Sequence, residues 1–282
     1  MNTFTTPSPV ALTVKFADGS LQILAEDRDT TTVDVAPANA SNAGDVDHAA
    51  GTTVEQRGDE IIVIAPDTKR WFGRTPKLDV RIAMPVDSSA TLFVESADIR
   101  LTGRLGDTDI NTASGDIQFE QVGSITASTA SGDIRGNAVD ADAKFKSASG
   151  DVRVDHVGGT ADAMTASGDL LLPAVGGGAH VRTASGDAGL GIVGGSVEAK
   201  TASGDIRIES VQHGTVEIDS ASGDVWIGIA QGTAAWLEVQ SLSGDVTSEL
   251  DGTDAPDDDA PAVTVRARSL SGDVAIRRAG SR

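Results

Sequence analysis

Aspartate recurs in this chain at a regular spacing that could bind a cation. The motif Ser-Gly-Asp followed by an apolar residue occurs nine times, at intervals of 17 to 28 residues of which half are 18, and a degenerate copy (ESADI) lies at residues 95–99. The nine motif glycines are Gly115, Gly132, Gly150, Gly168, Gly186, Gly204, Gly223, Gly244 and Gly272. Carboxylate oxygens are the ligands that a hard cation such as Ca²⁺ prefers. Asp151, Asp169, Asp187 and Asp205 are therefore candidate metal ligands, and Ca²⁺ is the one cofactor that the sequence raises.

The same motif has a structural interpretation, which we favour over the metal site. Glycine supplies a positive φ or a close backbone approach at a corner, and an aspartate side chain accepts a hydrogen bond from a nearby backbone N–H. Eight serines and threonines that precede the motifs have an inward-facing position, so hydroxyls of neighbouring coils are expected to hydrogen-bond to one another. These residues are Thr129, Ser147, Thr165, Thr183, Thr201, Ser220, Ser241 and Ser269. On this interpretation the chain needs no cofactor.

Five aromatic and basic residues are candidates for binding a partner. Arg70, Trp71 and Arg74 lie in the one compact basic stretch, residues 69–77 (KRWFGRTPK). Trp226 and Trp236 each stand between apolar residues in an alternating pattern, which turns both indoles outwards. Exposed Trp and Arg are enriched among the residues that dominate binding energy at interfaces. We expect a protein partner or self-association, although a loop that closes onto the body would also account for the basic stretch.

The sequence lacks the residues that common catalytic sites require. It has no cysteine, its four histidines are scattered, and it contains no His-Glu-x-x-His, Gly-x-Ser-x-Gly or phosphate-binding loop. Only three tryptophans are available as platforms for sugars. We therefore predict a protein that is not an enzyme, with a polysaccharide-active β-helix enzyme as the remaining catalytic alternative.

The charge and hydropathy patterns exclude several partners. The formal net charge is -20 and the isoelectric point is about 4.4, which opposes binding to the phosphate backbone of nucleic acid. No apolar run approaches the ~20 residues that span a bilayer, so membrane insertion is not expected. The N-terminus lacks the charged and apolar regions of a secretory signal. The expected location is cytoplasmic, and a surface location stays open.

The motifs are positioned by short strands. In residues 197–211 (VEAKTASGDIRIESV) apolar and polar residues alternate before the motif and again after it, as in half-buried strands. Glycines at this frequency would each cost a helix interior about 1 kcal/mol. Coils of equal length stack most readily in register. The sequence thus predicts an all-β, single-stranded parallel β-helix (β-solenoid) of about 18 residues per coil, and the general crossover rule favours a right hand.

The repeats also suggest a division of the chain. Residues 1–94, which lack the motif, are expected to form an irregular β-rich N-terminal cap, and residues 95–282 the solenoid. Within the cap, Asp18-Gly19 indicates a hairpin turn and residues 36–51 an exposed loop. Near the C-terminus, residues 251–259 are expected to be a loop extruded from one coil, and residues 277–282 a frayed basic tail.

The repeated (T/S)-(A/L)-S-G-D-(I/V/L) coils behind a motif-free β-rich segment resemble a bacterial adhesin-like family of β-strand-repeat proteins. The resemblance covers nearly the whole chain and implies a parallel β-helix that carries no catalytic residues. It suggests a non-enzymatic structural or interaction module, a scaffold that binds a protein or a surface. A cation-stabilised self-assembling unit is the alternative.

Overall fold

The computed structural model describes residues 1–67, 74–250 and 261–280, which are almost entirely β-structure. The chain divides into two compact units, unit 1 (Met1–Asp140) and unit 2 (Ala141–Arg282). The elements of unit 1 are β1 (Asn2–Thr5), β2 (Ala11–Glu26), β3 (Thr30–Pro37), α1 (Ala43–Ala50), β4 (Thr53–Arg57), β5 (Glu60–Ile64), β6 (Lys77–Pro85), β7 (Ser89–Leu105), β8 (Thr108–Ser114), β9 (Ile117–Val122), β10 (Ile125–Thr129) and β11 (Ile134–Val139).

Unit 2 continues the same alternation of short strands and corners. Its elements are β12 (Ala143–Ser147), β13 (Val152–Val157), β14 (Ala161–Ser167), β15 (Leu170–Val175), β16 (Ala179–Ser185), β17 (Ala188–Val193), β18 (Val197–Ser203), β19 (Ile206–Val211), β20 (Gly214–Ser222), β21 (Val225–Ile229), β22 (Ala234–Ser241), β23 (Val246–Ser248), β24 (Ala262–Ser271) and β25 (Val274–Arg278).

Each coil of unit 2 is a pair of strands joined at the Ser-Gly-Asp corner. The strand before the corner pairs in parallel with the equivalent strand of the next coil, as Thr183 does with Thr201, and the strand after it does likewise, as Ala188 does with Ile206. We call these sets of strands the first-strand stack and the second-strand stack. The inward residues of both stacks, such as Ala199 and Ile208, are buried. The predicted parallel β-solenoid is confirmed.

The corner requires glycine because two backbones meet there. Gly204 has a φ of +143°, and a Cβ added to it would lie 2.1 Å from the carbonyl oxygen of Gly186. A side chain at this position would therefore be strained in φ and would also overlap the neighbouring coil. The same close approach recurs at Gly186, where φ is +151°. The predicted corner with positive φ is confirmed at these positions.

The coils of unit 2 do not stack in sequence order. The last strands of the chain, β24 and β25, pair with β20 and β21 on one side and with β22 and β23 on the other. The C-terminal coil is thus inserted between two coils that precede it in the sequence. The prediction of a loop extruded from one coil at residues 251–259 falls outside the described residues. The chain on either side of that segment belongs to two different coils, β23 and β24.

Unit 1 has a similar insertion at the start of the chain. The long strand β2 pairs in parallel with β5 and β6 on one side and with β7 on the other. The predicted hairpin at Asp18-Gly19 is wrong, because β2 runs on through these residues. Gly19 has a φ of +135° and lies opposite Ala97 of the degenerate motif. Gly19 marks a coil corner within β2, which pairs with β5 before this point and with β6 from Asp18 onwards.

The outer coil of unit 1, formed by β5 and β6, is covered by antiparallel strands. β4 pairs with β5, β3 pairs with β6, and β1 pairs with β3. The helix α1 contacts β3 and β6. These elements form the irregular β-rich part that the sequence predicts at the N-terminus. The predicted division at residue 94 stays a prediction, and β7 runs through that position.

The prediction of an exposed loop at residues 36–51 is wrong, because α1 occupies half of it. The helix begins after Asn42, whose side chain accepts a hydrogen bond from the Asp45 amide at 3.2 Å, a typical N-cap. Asp45 is 1 % exposed, and its Oδ1 accepts a hydrogen bond from the amide of Lys77 at 3.1 Å. This buried carboxylate holds α1 against the start of β6. The composition of residues 36–51 does not reveal this contact.

The predicted hydrogen bonds between neighbouring hydroxyls are also wrong. Equivalent side chains that share one conformation keep the spacing of adjacent strands, about 4.8 Å, which exceeds the hydrogen-bonding distance of about 3 Å. The hydroxyl of Ser241 instead donates to the carbonyl oxygen of Gly272 at 3.0 Å. The hydroxyls of Thr183 and Thr201 are buried and make no hydrogen bond among the described residues. The inward placement of these serine and threonine residues is confirmed, and the hydrogen bonds between their hydroxyls are not.

Candidate interaction surface

Trp226 stands on the outer side of the second-strand stack of unit 2. Its neighbours on β21, Val225 and Ile227, are buried, and Trp226 itself is half-buried. The guanidinium of Arg207, one coil away in register, lies 5.9 Å from the centre of the indole ring. This distance is within the range of a cation–π contact. The contact places the two side chains side by side on the outer surface of unit 2.

A notch lies beside this pair because the next residue in the row has no side chain. Parallel register places Gly189 opposite Arg207 and Leu171 opposite Gly189. Gly189 has no side chain, and the side chain of Leu171 reaches to within 3.0 Å of the position that a Cβ on Gly189 would take, so the leucine forms one wall of the notch. The resulting groove has a volume of about 340 Å³ and reaches from Leu171 to Trp226.

The rim of the groove carries three aspartates of the motif column, Asp169, Asp187 and Asp205. The amide of Asp187 donates to Oδ1 of Asp169 at 2.9 Å, and the amide of Asp205 donates to Oδ1 of Asp187 at 2.8 Å. Each coil therefore offers an N–H to the carboxylate of the coil before it. Hydrogen bonds to ionised acceptors of this kind are among the stronger ones in proteins. This ladder explains how stacked carboxylates are tolerated.

The ladder continues in the order in which the coils stack rather than in the order of the sequence. Asp224 donates to Asp205, Asp273 donates to Asp224, and Asp245 donates to Asp273, at 2.8 to 2.9 Å. In residues 1–67, 74–250 and 261–280, no group of three or more His, Asp or Glu side chains is arranged to hold a metal ion. Cation binding by Asp151, Asp169, Asp187 and Asp205 stays a prediction.

A second hollow adjoins the other side of the same pair. It has a volume of about 270 Å³ and is lined by Arg207, Trp226 and the C-terminal residues 277–280. Arg278 donates hydrogen bonds to the carbonyl oxygens of Ala230 and Thr233 at 3.2 and 2.6 Å. The described part of the C-terminus is thus tied to the coil, where the sequence suggested a frayed tail. Residues 281–282 are outside the described part.

The other predicted partner-binding residues lie apart from this groove or outside the described residues. Trp236 is 74 % exposed on β22 and belongs to the first-strand stack, whereas Trp226 belongs to the second. Arg74, in unit 1, lies 4.0 Å from the buried carboxylate of Asp45. Arg70 and Trp71 are not among the described residues. All five residues stay predictions as binding residues.

Sequence reasoning missed Arg207, Gly189 and Leu171 as members of the surface around Trp226. The signal was present in the 18-residue spacing, since residues 171, 189 and 207 differ by 18 and therefore stack directly. The step from 207 to 226 is 19 residues, and the motif spacing lengthens there by the same amount. Aligning outward positions by coil would have placed Leu171, Gly189, Arg207 and Trp226 in one row.

Charged residues on the first-strand stack form a separate network. Glu198 lies 2.9 Å from Arg182 and 3.2 Å from Lys200, and Lys200 lies 3.4 Å from Asp219. The hydrogen bond from Arg182, followed by that from Lys200, lowers the pKa of Glu198 below its ordinary value. The partners are exposed, so this network contributes little to stability. It links three successive coils on the outer surface.

The fold places this chain among the parallel β-solenoid repeat proteins. A family profile described as Toastrack DUF4097 matches residues 10–277, and the chain belongs to this family. A search of curated proteins found no match.

Two solved bacterial structures are similar to the chain, both of proteins named "putative adhesin". The one from Parabacteroides distasonis ATCC 8503 is 18% identical, with a TM-score of 0.48, over 79% of this chain and 94% of its own. The one from Bacteroides fragilis NCTC 9343 is 13% identical, with a TM-score of 0.46, over 79% and 94%. At these values the likenesses carry no argument about function.

No helix in the described part of the chain is both long and apolar enough to cross a membrane. The helix α1 has eight residues.

Proposed function

We propose that this chain is a non-enzymatic interaction module that binds an extended segment of a partner protein at the groove beside Trp226. The observation that carries the proposal is the groove of about 340 Å³ at Gly189, which is lined by the apolar side chain of Leu171 and by the Trp226–Arg207 pair. An aromatic ring and an arginine beside a pocket are the usual anchors of a protein interface.

The chemistry of the rim suggests the kind of segment that binds. Asp169, Asp187 and Asp205 line one side of the groove, and the chain as a whole is strongly acidic. Electrostatic complementarity speeds association and disfavours partners of the same charge. The proposed partner segment is basic and carries one apolar side chain that enters the notch.

The experiment is affinity capture from the cell that produces the protein, followed by a binding titration with the purified captured partner. Gly189→Leu fills the notch at a position without positive φ, and Trp226→Ala removes the ring. Each is expected to weaken binding by about tenfold or more, a free-energy loss of about 1.4 kcal/mol. Phe93→Ala, an exposed aromatic residue of unit 1, is the control and is expected to bind as the wild type does.

Three results contradict the proposal. One is equal binding by the wild type, Gly189→Leu and Trp226→Ala. Another is loss of binding in Trp236→Ala alone, which would move the site to the first-strand stack. The third is capture that is the same for every variant, which would reflect non-specific adsorption to an acidic protein.

A further inference from the structure

The outermost coil of unit 2, formed by β22 and β23, has an open edge. β22 pairs with β24, and β23 pairs with β25. No other strand pairs with either of them among the described residues. Unpaired strand edges are templates for pairing with another chain, and proteins usually cover or charge them. The edge is therefore a candidate interaction surface, independent of the Trp226 groove.

The open side of β22 offers regular hydrogen-bonding groups. The amides of Ala234 and Leu242 donate to Pro261 and Ser269 on the β24 side. Because N–H and C=O groups of alternate residues in a strand point to opposite neighbours, Leu237 and Val239 direct theirs to the open side, as do the other odd-numbered residues. A second strand could pair with these groups without disturbing β24.

The interior of this coil is also incompletely buried. Leu237 and Val239 are half-buried, whereas Val265 and Ala267, their partners on β24, are fully buried. The inward residue Val246 on β23 is 46 % exposed. Terminal repeats of solenoids need a polar outer face to stay separate in solution. This end instead presents the apolar side chains of an unfinished core.

Two leucines extend the apolar surface at the corner of the same coils. In the seven motif copies from residue 113 to residue 224, the residue before Ser-Gly-Asp is alanine, but in the last two it is Leu242 and Leu270. These two coils are adjacent in the stack. Leu242 is 83 % exposed and Leu270 is 60 % exposed. At the position before Ser-Gly-Asp, the larger leucine thus replaces alanine only in the two outer layers.

We propose that the β22–β23 end of unit 2 is a self-association surface, and that its occupant is the same end of a second copy. The surface that best matches the outline and the apolar interior of a coil is another coil of the same kind. The β5–β6 coil of unit 1 is covered by β3 and β4. The association is therefore isologous, open edge against open edge, and closes at two chains.

The local charge permits this contact. Residues 230–250 carry three acidic residues, and residues 261–280 carry four arginines and one aspartate, so the two outer layers have four charges of each sign. The rest of the chain carries the whole net charge of -20. Residues 251–260, between β23 and β24 in the sequence, contribute five aspartates to it. Repulsion between two copies is screened by salt, so the dimer is expected to tighten as ionic strength rises.

The test is sedimentation velocity of the full chain over a range of concentrations, at low and at physiological ionic strength. The wild type is expected to reach a species of twice 28.7 kDa and not to grow further. The double variant Leu242→Ala/Leu270→Ala restores the alanine that other coils use, so it is expected to fold, and it should weaken the dimer by about tenfold or more. Val239→Lys places a charge in the half-buried interior of the open coil and should abolish the dimer. Ile192→Ala, an exposed apolar residue elsewhere in unit 2, should leave it unchanged.

Each alternative result overturns the proposal. A wild type that stays monomeric at every concentration would show that the edge is not used in this way. A dimer that persists in both the leucine double variant and Val239→Lys, with unchanged thermal melts, would place the interface elsewhere. Assemblies larger than two would contradict the closed, isologous contact.

Discussion

The β5–β6 end of unit 1 and the β22–β23 end of unit 2 are built from the same kind of coil but finished differently. At the first, antiparallel strands pair with both outer strands, and β5 lies between β2 and β4. At the second, β22 has a partner on one side only among the described residues. Covering strands complete the hydrogen bonds and bury the inward residue Ile61, which is 0 % exposed. Burial in a solenoid therefore depends on the layer above as much as on the coil's own sequence.

The largest expected difference between the two regions concerns corner glycines. Gly19 of unit 1 has a φ of +135°, and its Cβ would lie 1.8 Å from the carbonyl oxygen of Leu78. Gly19→Ala is expected to destabilise the protein by at least about 3 kcal/mol, since strain at such a φ costs 1–3 kcal/mol and the covered layer cannot move away. Gly244→Ala, with a φ of +152° and a Cβ 2.2 Å from Gly272, should cost about 1–2 kcal/mol because the outer coil can shift.

Chemical denaturation of the two variants measures this difference. Gly58→Ala is the matched control, because Gly58 has a φ of +62° with nothing within 4 Å of its added Cβ, and it should cost about 1 kcal/mol. Equal losses at Gly19 and Gly244 would mean that the open layer is held as firmly as the covered one.

The second prediction compares inward side chains at the two ends. Ile61→Ala in β5 is expected to cost about 3 kcal/mol, a typical loss for a fully buried aliphatic residue. Leu237→Ala in β22 should cost about 1 kcal/mol, because the leucine is half-buried and already meets water. Thermal melts under conditions in which the chain is monomeric measure both. A loss at Leu237 as large as that at Ile61 would contradict an incompletely buried end.

The third prediction compares how an interior coil and the open coil contribute to the pH dependence of stability. The pKa of Glu198 is lowered by Arg182 first and Lys200 second, so its ionised form favours the folded state. That contribution is present above the ordinary pKa of glutamate and is lost as the pH falls through the lowered value. Glu198→Gln should therefore flatten the acidic limb of the stability profile slightly, since the group is exposed.

The control for this pH profile is Glu238→Gln on β22. Glu238 lies 3.5 Å from one cation, Arg266, whereas Glu198 contacts two. Its effect on the acidic limb should be smaller than that of Glu198→Gln. A larger effect would mean that the open coil, rather than the interior network, carries the pH dependence.

The smallest expected effect is that of calcium on the aspartate column. The carboxylates of Asp169, Asp187 and Asp205 already accept backbone amides, so we expect screening by salt to raise the melting temperature modestly. Calcium should add nothing beyond sodium at matched ionic strength. An extra gain with calcium that a chelator reverses would show that cations bridge neighbouring carboxylates.

The sequence predicts the coil well and the order of coils poorly. Alternation around residues such as Ile206 and Thr201 places side chains inside or outside correctly, because each strand obeys a local period of two. Stacking order depends on which coil meets which in space, and the 28-residue step before Gly272 does not specify this. Both coils have leucine before Ser-Gly-Asp, at Leu242 and Leu270, and this common residue is the feature of the sequence that indicates that they are neighbours.

The candidate site was predictable in part for the same reason. The outward direction of Trp226 follows from its neighbours, but its contact with Arg207 requires the register between coils. The N-terminal half was harder, since β2 carries no Ser-Gly-Asp motif and Gly19 alone resembles a hairpin signal. The helix α1 depends on Asp45, a buried carboxylate in a stretch whose composition is that of a loop.

Hydrogen exchange of individual amides measures directly whether β22 has an open edge and β5 a covered one. It would be measured by NMR on the Leu242→Ala/Leu270→Ala variant, so that self-association does not hide the edge. In β22, the amides of Leu237 and Val239 are expected to exchange quickly and those of Trp236 and Glu238 slowly, while the amides of β5 are protected on both sides. Uniform protection along β22, equal to that of β5, would contradict an open end in unit 2.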